Sequence, residues 1–232
     1  MSKEVVLLSG GQDSVTCLFL ALERFGRENV FPLTIFYGQK HVIELDAAEK
    51  VVQLVGLQSV HEIIELPQQI LKSTSPLVKH DTPVAQYNSP QDLPGGIEDT
   101  FVPLRNLLFL VLAANRAVYL GAEYVVTGVG QEDFGGYPDC RESFLKATQN
   151  TVREATGEDY VQILAPLLHL TKEATVLCAS GIKGCLEALA YSHTCYNGVY
   201  PPCGHCHACL LRAKGFAEAG IPDPLLVRAS NS

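Results

Sequence analysis

Along the first two thirds of the chain, short unbroken apolar runs take turns with longer stretches in which apolar residues recur at helical spacing. Val5-Val6-Leu7-Leu8 predicts a buried strand, and Val15 through Glu23 has the length and spacing of a helix. Val30 through Tyr37 predicts a second strand, and Glu44 through Val55 an amphipathic helix ended by Gly56. Val60 through Leu66 alternates as a third strand. Further on, Leu104 through Leu120 reads as a strong helix and Tyr124 through Gly128 as a buried strand entering a glycine turn. Glu142 through Thr156 is helical, Val161 through Ala165 a short strand, and Thr171 through Ala179 a helix capped by Thr171. This alternation predicts an α/β fold, a doubly wound parallel sheet with helices on both faces. Ligands of such sheets bind beyond the carboxyl ends of the strands. The turns at Ser9, at Tyr37-Gly38 and at Gly128-Val129-Gly130 are therefore expected along one edge. From Lys72 to Asp99 the periodicity is lost, which predicts a long mobile loop, either an active-site lid or a surface excursion.

The turn between the first strand and helix, Ser9-Gly10-Gly11-Gln12-Asp13-Ser14, carries the clearest chemistry. Two glycines let backbone N–H groups converge on one point, and the helix N-terminus adds partial positive charge there. Ser9 and Ser14 supply hydroxyls, and Asp13 is placed to cap the helix. The expected guest is phosphate. Neither a Walker lysine nor the spaced glycines of a dinucleotide fold are present.

Composition narrows the setting. A chain of 232 residues with 47% apolar residues fits one domain spanning 1–232. A net charge of -8 argues against a broad nucleic-acid surface. The longest apolar run, Leu107 to Ala114, is far short of a membrane span, and no signal peptide is apparent, so a cytoplasmic location is expected. In that compartment the eight cysteines are expected as thiols or metal ligands. Cys195, Cys203, Cys206 and Cys209 form a C-x7-C-x2-C-x2-C array, and residues 190–220 are expected as a metal-binding appendage. Four thiolates suit a structural tetrahedral zinc; an iron–sulfur cluster is the rival. His205 and His207 lie inside the array but are not needed to complete the tetrahedron. Cys17, Cys140, Cys178 and Cys185 are isolated.

Three further features stay open on chemistry alone. Arg105 is a cation in the first turn of its helix, where the dipole disfavours it; a nearby ligand phosphate or solvent exposure would each account for it. Phe134 through Arg141 reads as a loop mixing an aromatic, an acid and a cation, parts suited to a flat polar heterocycle. Lys172 opens its helix in the same ambiguous way as Arg105.

Taken together, these segments resemble the PP-loop ATP pyrophosphatases, which share an adenine nucleotide alpha hydrolase-like fold. Within that family they are similar to the 7-cyano-7-deazaguanine synthases. The resemblance rests on Leu8 to Ser14, on Tyr37 to His41 with Glu44-Leu45, and on Val102 to Asn106. It continues through Thr127 to Val129, Gly136 to Arg141, Pro166 to Lys172, Thr194 to Gly198 and Cys203 to Cys209. It implies ATP binding by Leu8, Ser9, Gly10, Gly11, Gln12, Asp13, Ser14, Val15, Thr16, Cys17 and Leu18, with Arg105 as a second phosphate contact. It further implies substrate recognition by Tyr137, Asp139 and Arg141, and zinc held by Cys195, Cys203, Cys206 and Cys209. The implied reactants are ATP with Mg2+, ammonia and 7-carboxy-7-deazaguanine, without nucleic acid or membrane, in a homodimer of the queuosine precursor pathway. Leu104, Gly130, Glu132 and His169 depart from the expected pattern; at Leu104 a glycine is usual. The rivals are a related amide-forming enzyme, a PP-loop tRNA thiolase and a zinc-stabilised regulatory module.

Overall fold

The computed structural model describes residues 2–40, 42–79, 81–94, 96–130, 137–157 and 161–231. Five strands, β1 (Glu4–Leu7), β2 (Val30–Phe36), β3 (Glu62–Glu65), β4 (Tyr124–Val126) and β5 (Gln162–Leu164), form one sheet in the order β3-β2-β1-β4-β5. Every pairing is parallel. The helices are α1 (Gln12–Phe25), α2 (Ile43–Val55), α3 (Arg105–Leu120), α4 (Glu142–Thr156), α5 (Lys172–Gly181), α6 (Cys185–Leu189), α7 (His207–Glu218) and α8 (Pro224–Ser230).

Side-chain alternation along the strands separates two cores. Val6, Leu8 and Val126 face α1, α2, α5 and α6 through Val15, Leu18, Ala48, Val51, Val176 and Leu189. Val5, Leu33, Ile35 and Val125 face α3 and α4 through Leu110, Ala113, Ala117, Leu145 and Val152. The sheet is thus doubly wound. Because strand order reverses at β1, the connections leaving β1 and β4 diverge to opposite faces and open a crevice between them.

The expected elements recur with small shifts of boundary. Helix α1 starts at Gln12 instead of Val15, because its first turn is polar and faces the crevice. Its N-cap is Gly11 and no side chain caps it, so the expected capping role of Asp13 is corrected. Thr171 does cap α5, accepting from the Ala174 N–H at 3.1 Å. Gly56 closes α2 in the left-handed region. Helices α6, α7 and α8 lie beyond the last element anticipated from periodicity.

The segment from Lys72 to Asp99 holds one short 3-10 turn, Pro90–Asp92, among its described residues. It is tied to its surroundings: Leu77 and Val84 are buried, and the Leu77 carbonyl accepts from the Lys40 N–H at 3.0 Å. Tyr87 N–H donates to the His205 carbonyl at 2.8 Å, and the Glu98 carboxylate meets the His207 ring. It is a strap across the cysteine segment.

Candidate active site and metal centre

The turn after β1 holds itself open by its own hydroxyls. Ser14 Oγ donates to the Gly11 carbonyl at 3.0 Å and accepts from the Ser9 N–H at 3.2 Å. Ser9 Oγ lies 3.1 Å from Ser14 Oγ and accepts from the Gly11 N–H at 3.2 Å. Gly10 has φ +90, and a Cβ there would lie 2.2 Å from the Glu44 carbonyl oxygen on α2. A side chain at Gly128, after β4, would lie 3.0 Å from the Ser14 nitrogen. Both glycines therefore serve close backbone approach.

A cavity of about 250 Å3 opens over this turn at the divergence of β1 and β4. One end is formed by the turn after β1 and the start of α5: Ser9, Gly11, Gln12, Asp13, Ser14 and Lys172. Lys172 Nζ donates to Asp13 Oδ2 at 2.7 Å, and both side chains are largely buried. Asp13 Oδ1 and Gln12 Nε2 are buried without a partner among the described residues, which leaves an acceptor and a donor for a guest. The other end is aromatic, with Tyr37, Phe109, Tyr137 and Tyr196 around Arg105, Asn106 and Thr100.

Of the residues expected at the nucleotide, Leu8, Ser9, Gly11, Gln12, Asp13, Ser14 and Arg105 line this cavity. Gly10 lies against α2, while Val15, Thr16, Cys17 and Leu18 are buried inside α1. Arg105 is part-buried in the cavity wall, so solvent exposure does not account for its position. Tyr137 also lines the cavity; its hydroxyl pairs with Thr100 Oγ1 at 2.8 Å, and burial pushes its pKa up to about 12. Asp139 is buried behind it. Its backbone carbonyl accepts from Asn106 Nδ2 at 3.2 Å, and burial raises its carboxyl above the ordinary range. Arg141 is exposed at the N-cap of α4. Neither Asp139 nor Arg141 is among the described lining residues. His41, Glu132, Phe134, Gly135 and Gly136 lie outside the described residues.

The sulfur atoms of Cys195, Cys203, Cys206 and Cys209 all lie within 4.8 Å of one another. A tetrahedral ion with metal–sulfur bonds of about 2.3 Å sets its ligands roughly 3.8 Å apart. The observed spread fits a shared metal site. Backbone N–H groups already point at the sulfurs: Cys203 N donates to Cys195 Sγ and Cys206 N to Cys203 Sγ, each at 3.4 Å. Asn197 Nδ2 adds another at 3.4 Å. The donor set is compatible with a structural metal, because four thiolates leave no open coordination position.

This centre adjoins the turn after β1. His193 N–H donates to the Gly10 carbonyl at 2.9 Å, and a Cβ on Gly11 would meet Thr194 Cγ2 at 3.4 Å. Cys195 follows directly, and then Tyr196 in the cavity wall. Helix α7 packs its Gly215 onto the Lys172 backbone, where a Cβ would lie 2.8 Å from Lys172 Cβ. Residues 190–220 thus supply part of the cavity: Thr194, Tyr196, Ala208, Leu211 and Arg212.

The family model described as "Queuosine biosynthesis protein QueC" matches residues 3–220. The chain belongs to this family. Curated relatives called 7-cyano-7-deazaguanine synthase include one from Chromobacterium violaceum, 48% identical over 97% of this chain and 94% of the relative. Another, from Gloeobacter violaceus, is 49% identical over 97% of this chain and 96% of its own. A third, from Laribacter hongkongensis, is 46% identical over 97% and 94%.

In this QueC-family chain, several lining residues carry no individual signal in sequence. Thr34, Leu77 and Leu211 look like ordinary strand, loop and helix positions. Lys172 had one, a cation at a helix N-terminus, and the fold pairs it with an acid. Arg212 reaches the cavity wall while its guanidinium is taken up structurally, by Asp223 at 2.7 and 2.9 Å and by Ser192 at 2.8 Å. The departure at Leu104 has a plain physical consequence. This residue is the N-cap of α3 with φ 65 and ψ 1, in the left-handed region, and 67% exposed. A glycine would occupy that conformation without steric cost.

Proposed function

We propose that this chain is an ATP-dependent ligase that converts 7-carboxy-7-deazaguanine and ammonia into 7-cyano-7-deazaguanine. The observation that carries the reading is a single cavity with a phosphate cradle at one end and an aromatic, amide-bearing end at the other. A nucleotide triphosphate suits the first, and a flat heterocycle with hydrogen-bonding edges suits the second.

A carboxylate resists ammonia because it has no adequate leaving group. Its oxygen attacks the α-phosphorus of ATP, the bond to the α–β bridging oxygen breaks, and pyrophosphate leaves with the electron pair. Ammonia then adds to the acyl carbon, a proton is lost, and AMP departs to give the amide. A second ATP adenylates the amide oxygen; loss of AMP and the nitrogen-bound protons leaves the nitrile. The protein's share is positioning and charge stabilisation. Ser9, Gly11 and Ser14 would turn the donors they now spend on one another toward the departing pyrophosphate, and Lys172 would add a cation. Mg2+, when bound, would offset phosphate charge, and the unpartnered Asp13 Oδ1 is the oxygen suited to it. Tyr137, with Asp139 and Arg141 nearby in sequence, belongs to the heterocycle end.

Zinc is the proposed occupant of the four-cysteine centre, with a structural role only. One domain spanning 1–232, a cytoplasmic setting and a homodimer complete the proposal. None of the eight cysteines is in a disulfide, and no helix among the described residues is long and apolar enough to cross a membrane. The net charge of -8 speaks against the tRNA-thiolase rival. The test is incubation with 7-carboxy-7-deazaguanine, ammonium and Mg-ATP, followed by mass analysis. Nitrile with AMP is the expected product. Arrest at the amide would make this an amide-forming relative, and no turnover would refute the ligase reading.

A further inference from the structure

Arg105 stands at the aromatic end of the cavity with most of its donors unspent. Its one hydrogen-bond partner among the described residues is the Tyr37 hydroxyl, which accepts from Nη1 at 3.2 Å. The guanidinium carbon lies 5.9 Å from the centre of the Tyr37 ring, and no carboxylate of the described residues is within ion-pair distance. A guanidinium carries five N–H donors in a fixed fork that matches a carboxylate bidentately. Arg212, also in the wall, shows the contrast, because Asp223 already occupies its fork.

The position of Arg105 is built. Leu104 holds the left-handed conformation that turns the chain into α3, and Asn106 pins the first turn by donating to the Asp139 carbonyl at 3.2 Å. Helix α3 packs on the sheet face opposite α1. The phosphate turn belongs to α1 and its lysine to α5, so Arg105 approaches the crevice from the other face. Among the described residues its hydrogen bond goes to Tyr37, on the aromatic side, and none joins it to Ser9, Gly11, Ser14 or Asp13. An anion held by Arg105 would therefore lie across the crevice from the pyrophosphate site. In an adenylation, that is where the attacking carboxylate belongs.

We infer that Arg105 is the anchor for the carboxylate of the substrate, in place of the second phosphate contact expected from sequence. This inference rests on the ligase reading above and sharpens it. The two half-reactions differ in the charge of their acceptor, since the first takes an anionic carboxylate and the second a neutral amide. An arginine that grips the carboxylate favours the first acceptor; one that grips phosphate serves both alike.

The experiment compares wild type with Arg105→Gln and Arg105→Lys. AMP formation is measured separately from 7-carboxy-7-deazaguanine and from its 7-amide, at varied ATP. Arg105→Gln is expected to raise the KM for the carboxylate by about 10- to 100-fold. The kcat/KM for the amide and the KM for ATP should each stay within about threefold. Arg105→Lys, which keeps the charge and loses the fork, should recover part of the carboxylate KM. Thermal melting of each variant reports whether the fold is intact. Equal losses with carboxylate and amide, or a raised KM for ATP alone, would overturn the assignment and leave the ligase reading standing. A wild-type protein inert toward both acceptors would refute the ligase reading and the anchor together.

Discussion

Lys172 Nζ lies 2.7 Å from Asp13 Oδ2, joining the first turn of α5 to the first turn of α1 across 159 positions of sequence. Each is a charged group in a largely buried place, and each holds the other there. Lys172→Ala is expected to leave the Asp13 carboxylate uncompensated, at about 1–3 kcal/mol of stability. Its AMP formation should fall by about 10²- to 10³-fold, as when one donor to a developing charge is removed. Urea denaturation and a steady-state assay read the two effects. Stability loss with unchanged turnover would make the pair purely structural.

Leu104 stores strain that brings no burial in return, being 67% exposed at φ 65. The left-handed region costs a non-glycine residue roughly 1–2 kcal/mol. Leu104→Gly should therefore gain about 1 kcal/mol in urea unfolding, partly offset by the added freedom of the unfolded glycine chain. A destabilised variant would mean that the leucine side chain has a partner in solution.

Glu4 is fully buried at the start of β1, with both carboxylate oxygens unpartnered among the described residues. Burial pushes its pKa from 4.5 up to about 8, with the charge of Arg24 opposing. A carboxyl raised on folding is held protonated by the native state. Its contribution is therefore complete below about 4.5 and is lost as pH rises through about 8. Glu4→Gln lacks this dependence. The variant should match wild type near pH 5 and exceed it by about 1–3 kcal/mol above pH 8. Parallel stability-versus-pH curves would contradict the assignment.

Chelation of the metal, or Cys206→Ser, should reach the nucleotide as well as the fold. His193 and Thr194 touch Gly10 and Gly11, and Cys195 follows directly. Metal-depleted protein is expected to melt earlier and to bind ATP at least about tenfold more weakly, read by calorimetry on protein still folded by circular dichroism. A colourless protein carrying one zinc per chain by elemental analysis is the expected resting form; a brown one would replace zinc by iron and sulfide.

Gly128→Ala would set a methyl 3.0 Å from the Ser14 nitrogen and 3.1 Å from the Asp13 carbonyl carbon. The backbone at the start of α1 must then move by a few tenths of an ångström. Weaker ATP binding with a change in melting temperature of only a few degrees is expected, and unaltered ATP affinity would count against close packing of β4 on the cradle.

Part of the sheet was legible because strands such as Val30–Phe36 and Tyr124–Val126 are uncharged, mostly apolar runs between helical stretches. Strand ends were overrun by a residue or two at Leu8, Tyr37 and Thr127, where the backbone leaves the ladder to form the cavity rim while staying apolar or β-branched. Helix α7 carries little signal because its first turn, His207-Ala208-Cys209, overlaps the cysteine array and the pattern after it gives no strong period. The phosphate turn and the cysteine array were legible as local motifs. The pairing of Asp13 with Lys172, the reach of Tyr196 into the cavity and the free donors of Arg105 were not, because each depends on which distant segments meet.

The packing of Gly215 on Lys172, with that of His193 on Gly10, sets a limit on how this protein can be recombined. The turn after β1 comes early in the sequence, and the residues that pack against it and against its paired lysine come late. A hybrid drawing its first half from one relative and its last third from another would join two surfaces fitted to different neighbours. Crossovers that separate the opening turn from α2, onto which Gly10 packs, or from the cysteine segment should be tolerated least. The opening turn and the cysteine segment are, in effect, one packed part.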